Sequence, residues 1–369
     1  MTHNAIDPRL LQKLKKGESF CALPWVEDFW YIDGKKYFCC MSDVPLIDKQ
    51  SSDALREKIW AGEKVENCTK CYELENKNVI SPRQKETFSV FKDLEIRNHF
   101  LTDHSPEYHP FFIDLRVDNK CNLACISCHP DTSSLWAKEL NIPIQEVKHN
   151  IDYNTILQSK KLYMAGGEPL IIDEYLKIIN LIADKNPDIE LVINTNLTSI
   201  DDATIGSIKK IKKASLIISV DSFGAVNEYH RYPLKWDKFT RNLDAIADSK
   251  IPVSFNTVID AVSIFGFDNL HLLEHYPHHW NLCILTTPHA LMLKNIPVHL
   301  KELARKKLKN LENTKFYKSD IKFRSTVDSC VLEINKDGDS KELSQYIQSI
   351  DNRRKINHEN YLGVNLIEQ

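Results

Sequence analysis

The chain has 369 residues, 48 lysines and arginines against 51 aspartates and glutamates, a formal net charge of −3, ten cysteines and only ten glycines. That length suggests roughly two or three compact units of ~150 residues, and the near-neutral balance lacks the broad positive field that a phosphate backbone demands. No run of about 18 apolar residues exists to span a bilayer, and the opening MTHNAIDPRLLQKLKKGESF carries no apolar run of signal-peptide length, so neither nucleic acid nor membrane is an expected partner and a cytoplasmic location is expected.

Residues 1–105 are rich in aromatics, turns and cysteine and show no alternation of strand with helix, which marks a small module of their own. From 106 to 296, short apolar runs alternate with longer amphipathic stretches, the pattern of repeated strand–helix units around a parallel sheet. Strands are predicted at 112–117, 161–165, 191–194, 216–220, 253–258 and 282–286, each apolar over several consecutive residues, as strands buried on both faces should be. Helical spacing appears at 174–182 and 239–246. Six such repeats in about 190 residues fall short of the ~250 that a closed eight-fold barrel needs. The α/β fold expected is therefore a partial (β/α)6 TIM-like barrel, open, with ligands at the C-terminal ends of its strands. Residues 297–369 read as an α+β extension: a basic amphipathic helix after Pro297, strand-like 321–324 and 331–334, a turn at Asp337-Gly338 and a helix from Ser340. The basic stretches 209–213 and 305–309 read as solvated helix faces.

The cysteines carry the chemistry. In a reducing compartment ten of them are not a disulfide framework, so they are ligands, catalysts or core. Cys121, Cys125 and Cys128 follow the first barrel strand with CxxxCxxC spacing, close enough for three thiolates to converge on one small object. A [4Fe–4S] cube is usually held by four cysteines, so three leave one iron open. The competing arrangement is a zinc site from the pairs Cys68/Cys71 and Cys125/Cys128. It separates the pairs by 53 residues and assigns nothing to Cys121.

Placed after that strand, CNLACISC resembles the cluster motif of the radical S-adenosylmethionine (SAM) superfamily. The resemblance implies cluster ligation by Cys121, Cys125 and Cys128. It also implies an open iron that chelates SAM, and reductive cleavage of the sulfonium to a 5′-deoxyadenosyl radical that takes hydrogen from a substrate. Gly166-Gly167-Glu168-Pro169, at the end of the second strand, is similar to the family's GGEP motif, whose backbone and acid receive the SAM amino group. Paired glycines permit close backbone approach and a carboxylate suits an ammonium. By the same resemblance Asn194 and Ser219, at the ends of the third and fourth strands, contact the ligand's polar head or ribose, and Arg231 in Tyr229-His230-Arg231 is a candidate for its carboxylate. A glycine-rich adenine-side motif is not evident in the fifth strand.

In the N-terminal module, Cys21, then Gly34 followed by Cys39 or its neighbour Cys40, then Cys68-Thr69-Lys70-Cys71, offer four thiolates. The pattern, with Cys21-Ala22-Leu23-Pro24-Trp25 and Cys71-Tyr72-Glu73-Leu74-Glu75, is similar to the auxiliary-cluster modules called SPASM and twitch, here placed before the barrel. That resemblance implies a second [4Fe–4S] cluster on Cys21, Cys39, Cys68 and Cys71, with Cys40 a substitute for Cys39. Four thiolates serve zinc equally, so a zinc site stays open.

Cys283, inside the sixth strand, reads as core. Cys330, in a polar stretch before an apolar run, is a candidate hydrogen-atom donor. His271, His275, His278 and His279 read as a surface group, and His129 as a neighbour able to tune the cluster. The resemblance implies a flavodoxin- or ferredoxin-type electron donor. The substrate expected is a peptide or protein residue undergoing oxidation, crosslinking or epimerisation. The alternatives are a sugar or other small metabolite and, outside enzymes, an iron–sulfur or zinc scaffold that binds a partner.

Overall fold

The computed structural model describes residues 19–77, 80–102, 104–144 and 151–367; most of the N-terminal stretch read for a signal peptide lies outside them. The chain divides into two compact units. The first gathers residues up to 117 with the segments ending at 164 and 190, and the second takes the rest.

The first unit holds β1 (Glu27–Trp30), β2 (Lys36–Tyr37), β3 (Phe112–Leu115) and β4 (Lys161–Met164) in the order β2-β1-β3-β4. β1 runs antiparallel to β2 and parallel to β3, with Glu27 opposite Phe112 and Trp30 opposite Leu115. Residues before 105 thus share a unit with the first two predicted barrel strands, where the sequence pattern put a boundary. Glu-Asp-Phe-Trp is too short and too acidic to announce a strand; it becomes one because Phe29 buries beside the sheet. Helices Lys49–Ala61 and Pro82–Val90 start at capping boxes, Asp48 with Ser51 and Ser81 with Gln84, and the first ends at Gly62, φ 90°. They enclose an aromatic core in which Phe20, Trp25, Phe91 and Phe100 lie within 6.3 Å of one another, centroid to centroid, along the ring contacts Phe20–Trp25, Phe20–Phe91, Phe20–Phe100, Trp25–Phe100 and Phe91–Phe100.

The second unit holds β5 (Glu190–Thr195) from its second residue onward, β6 (Lys213–Ser219), β7 (Val253–Ile259) and β8 (His279–Ile284), hydrogen-bonded in that order, with β6–β7 and β7–β8 parallel. The fold is α/β with mostly parallel strands. The expectation that every strand is buried on both faces is corrected for β6–β8, where burial alternates: Leu216, Ile218, Phe255 and Trp280 are buried, while Ser219, Asn256 and Asn281 between them are half open. Ile217 and Val258, apolar on the half-open face, hide the alternation that Ser215, Ser219, Ser254 and Asn256 carry.

The C-terminal segment is corrected from α+β to helical among the described residues: Val298–Lys309, Lys315–Ser319, Ile321–Asn335, Ser340–Arg354 and Glu359–Leu362. The two strand-like pieces are one helix, because Phe323, Val327, Cys330 and Ile334 recur at helical spacing and bury together, and Asp320 caps the N–H groups of Lys322 and Phe323. No helix among the described residues is long and apolar enough to cross a membrane.

Candidate functional site

The cysteine loop of the second unit has its backbone accounted for almost atom by atom. Cys121 N donates to Ser134 Oγ at 3.0 Å, Ser133 Oγ to Leu123 O at 2.6 Å, Cys128 N to Cys125 O at 2.9 Å and Trp136 Nε1 to Cys128 O at 3.1 Å. Ala124 N and Ile126 N donate to Tyr232 O and His230 O at 2.6 and 2.8 Å. Their carbonyls accept from the helix Ser340–Arg354: Arg354 donates to Ala124 O at 2.6 Å and Tyr346 Oη to Ile126 O at 2.7 Å. A loop without regular structure is held from two sides, as buried backbone requires.

Cys125 is buried and Cys121 and Cys128 are half-buried. Burial first, then Glu168 and Cys128, push Cys121 up to about 11, and burial first, then Cys128 and Cys121, push Cys125 up to about 12, while Arg231 acts in the opposite sense on both. The three sulfurs are therefore grouped closely enough to feel one another. Ligation takes thiolates, and a fixed cation beside them favours that form. Among the described residues no three His, Cys, Asp or Glu side chains converge on a single-ion position. A cubane does not ask for one, since its thiolates bind different irons. Three soft sulfur donors with a guanidinium alongside fit such a cluster.

The glycine motif touches this loop directly. Gly166 and Gly167 sit at φ 79° and 33°, Glu168 N donates to Lys120 O at 2.8 Å, and a Cβ on Gly167 would stand 2.3 Å from that same carbonyl. Replacing Gly167 by alanine is expected to displace Lys120 and Cys121, costing about 2–4 kcal/mol in urea unfolding and lowering the iron bound per chain. Gly206→Ala is the contrast: that glycine lies in the helix Asp202–Lys210 with nothing within 4 Å, so the change should stabilise by up to ~1 kcal/mol.

Glu168 is only 1% exposed, and its carboxylate is committed within the chain. Oε1 accepts from Leu170 N at 3.0 Å and Thr195 Oγ1 at 2.5 Å, and Oε2 from Asn196 N at 2.6 Å. Asn196 then donates to Asn122 Oδ1 at 3.0 Å and lies 4.0 Å from Cys121 Sγ, while Asn122 donates to Thr198 at 2.8 Å. The motif, the end of β5 and the cysteine loop are one network. Of the polar strand end Asn194-Thr195-Asn196 the sequence singles out Asn194, whereas Thr195 and Asn196 make the network; Asn122 and Thr198 carry no signal in the sequence. Asn194 and Ser219 come together, Oδ1 3.5 Å from Oγ, on half-buried strand ends.

Arg231 lies beside Cys121 and Cys125 with its charged group inside the fold. One guanidinium nitrogen donates to Asp221 at 2.5 Å; Nε is buried with no partner. His230 is wholly buried, with Asp260 Oδ2 2.5 Å from Nε2 and Asp221 Oδ2 3.2 Å from Nδ1. Burial opposes its charge, but Asp260 and Asp221 outweigh it and raise the imidazole to about 9. Asp221 is itself held well below the usual carboxylate range, Arg231 and His230 prevailing over burial. Because the folded value lies above the unfolded ~6.5, the stability His230 contributes is whole below pH ~6.5 and lost as pH rises through about 9. The gap corresponds to about 3 kcal/mol, read as the difference between wild-type and His230→Gln unfolding free energies at pH 6 and pH 10.

Cys330 is corrected as a hydrogen-atom donor: it is 0% exposed on the core face of the helix Ile321–Asn335, its thiol raised to about 12 by burial. Cys283 is corrected in the other direction, from core to exposed. His275, His278 and His279 are exposed and His271 is half-buried; His129 is exposed, its Nδ1 accepting from Asp131 N.

In the first unit, Cys21, Cys68 and Cys71 are buried, and Cys68 and Cys71 both act electrostatically on Cys21. Cys39 is acted on by Cys21, whereas Cys40 is exposed and faces Glu27, Arg116 and Asp114. A cavity of about 430 Å³ adjoins Cys39 and Cys40, with Glu27, Glu86, Asp114 and Tyr163 in its wall.

Residues 115–274 match the family model of the Radical SAM superfamily. That segment is similar to radical SAM domains. Members of the superfamily are enzymes, and the family implies SAM and a [4Fe–4S] cluster. A GTP 3′,8-cyclase of Campylobacter lari is 25% identical over 168 residues, covering 44% of this chain and 50% of its own. An uncharacterized protein of Methanocaldococcus jannaschii is 30% identical over 166 residues, covering 44% and 55%. The chain spans about half the length of the curated relatives it matches. SuiB of Streptococcus suis, solved bound to S-adenosylmethionine, is similar over 73% of this chain and 64% of that one, at 12% identity and a TM-score of 0.41.

Proposed function

We propose that this protein is a radical SAM enzyme whose cluster is held by Cys121, Cys125 and Cys128. The observation that carries the reading is the grouping of three thiols on a loop fixed from both sides, with the unpartnered Nε of Arg231 in the same buried neighbourhood. When bound, a reduced [4Fe–4S] cluster with one open iron supplies the electron that splits SAM and so the radical that abstracts hydrogen. The chain's own residues hold and orient. Gly166 and Gly167 let backbone approach the ligand, Glu168 fixes that backbone against β5, Asn194 and Ser219 offer polar strand ends, and Arg231 Nε is a donor for the SAM carboxylate.

The substrate reading is a peptide or protein residue, supported by the four N-terminal cysteines, three of which act electrostatically on one another through Cys21 while Cys39 feels it. We assign Cys21, Cys39, Cys68 and Cys71 to an auxiliary cluster. The second reading, a small metabolite, is favoured by the relatives named GTP 3′,8-cyclase. The test is anaerobic reconstitution with iron and sulfide followed by strong reductant and SAM. 5′-Deoxyadenosine should form, and deuterium from labelled GTP or from a labelled candidate peptide should enter it. No 5′-deoxyadenosine from iron-loaded protein would return the chain to the scaffold reading.

A further inference from the structure

The half-open face of β6–β8 carries a row of polar side chains that the reading above does not use. The parallel register sets Ser219 opposite Asn256 and Asn256 opposite Asn281, so the three lie side by side across the strands. Asn194 meets the row at Ser219, and Lys322, from the helix Ile321–Asn335, closes it at Asn281 with Nζ donating to Oδ1 at 2.8 Å.

Lys322 sets the polarity of the row. An ammonium has donors only, so the Asn281 atom facing it is the oxygen. The Asn281 amide nitrogen then points onward, donating to Asn256 Oδ1 at 2.7 Å and lying 3.1 Å from Cys283 Sγ. Asn256 is left with its oxygen engaged and, among the described residues, no acceptor for its amide hydrogens, and Lys322 keeps further N–H groups. Asp320, the carboxylate nearest in sequence, is occupied in capping Lys322 N and Phe323 N. What the row offers outward is donors and one positive charge.

We propose that this row is a substrate subsite for an anionic oxygen, a carboxylate or a phosphate, with Asn256 and Lys322 as its donors and specificity-determining residues. The proposal rests on the radical SAM reading, because the row begins at Asn194 and Ser219, the strand ends assigned there to the cofactor. It adds the chemistry of the substrate: acceptor oxygens carrying negative charge. Neutral sugars and cationic amines do not match.

The test is calorimetric titration of the iron-loaded, SAM-bound protein without reductant. GTP is the phosphate source, and a glutamate-containing peptide with a free C-terminus is the carboxylate source. At least one should bind, and its affinity should fall about tenfold in Asn256→Asp, which replaces a donor by an acceptor of the same shape, and in Lys322→Gln. Asn281→Asp should lose as much while keeping the partner of Lys322, because its carboxylate would turn Asn256 round to present oxygen outward. Circular dichroism melting checks that the variants fold. Wild-type affinity in all three variants, or binding of neither ligand by the wild type, overturns the subsite. SAM cleavage is scored separately: cleavage without ligand binding removes only the subsite, whereas binding without cleavage removes the radical SAM reading and leaves the row standing.

Discussion

Cys125→Ala is expected to abolish both the visible iron–sulfur absorbance assigned to the second unit and the formation of 5′-deoxyadenosine, a fall of about a thousandfold or more in rate. Cys125 is the most buried of the three loop cysteines, and Arg231 lies beside it. Its removal leaves two thiolates, too few to hold a cube by three corners, and leaves a buried guanidinium facing an apolar methyl. Cys330→Ala, by contrast, trims a buried sulfur from a helix core and should cost about 1–3 kcal/mol with the iron content unchanged. Cys283→Ala, on an exposed strand position, should retain both stability and iron. Iron per chain, urea unfolding and 5′-deoxyadenosine yield on the three variants separate a ligand from a packing thiol and from a surface one. Equal iron loss in all three would mean general unfolding and would remove the assignment.

The second large effect is expected far along the chain. Arg354→Ala should destabilise the second unit by about 3–5 kcal/mol, because the side chain is 1% exposed and does three things at once. It donates to Ala124 O at 2.6 Å, pairs with Glu139 at 2.9 Å, and covers the rings of Trp136 and Tyr232 at 5.1 and 4.7 Å. Alanine leaves Glu139 without that partner and a loop carbonyl unpaired between Leu123 and Cys125. Tyr346→Phe removes only the bond to Ile126 O, and about 1 kcal/mol is expected. Since both hold carbonyls of the same loop, the double variant should deviate from additivity by about 0.5–1 kcal/mol. Denaturant unfolding of the four proteins gives the coupling, and iron retention during dilution should follow the same order.

These two cases show where sequence reading reaches and where it stops. The strands of 161–164, 190–195 and 213–219 were visible because several apolar residues run together, and the cysteine loop because its ligands lie within eight positions. Tyr346 and Arg354 were not, because they reach Ile126 and Glu139 across 220 and 215 residues and an exposed-looking helix gives no hint of its partner. His230 carries no signal in the sequence because its two carboxylates, Asp221 and Asp260, sit just past the ends of two other strands. The C-terminal helix was split into two strands because Ile321-Lys322-Phe323-Arg324 alternates locally, and only the spacing from Phe323 to Ile334 reveals the longer period. Cys283 and Cys330 exchanged places for the same reason: burial on a strand alternates and on a helix follows a stripe, and neither is visible from one residue's neighbours.

The measurement that bears most directly on the central claim is electron paramagnetic resonance of the reduced protein carrying Cys21→Ala and Cys68→Ala, so that only the loop cysteines remain to hold a cluster in the proposed way. A [4Fe–4S]⁺ signal should be present, and adding SAM with a ¹⁵N-labelled amino group should shift its g-values and introduce nitrogen hyperfine coupling. A signal indifferent to SAM, or zinc in place of iron after reconstitution with both metals, would contradict the account.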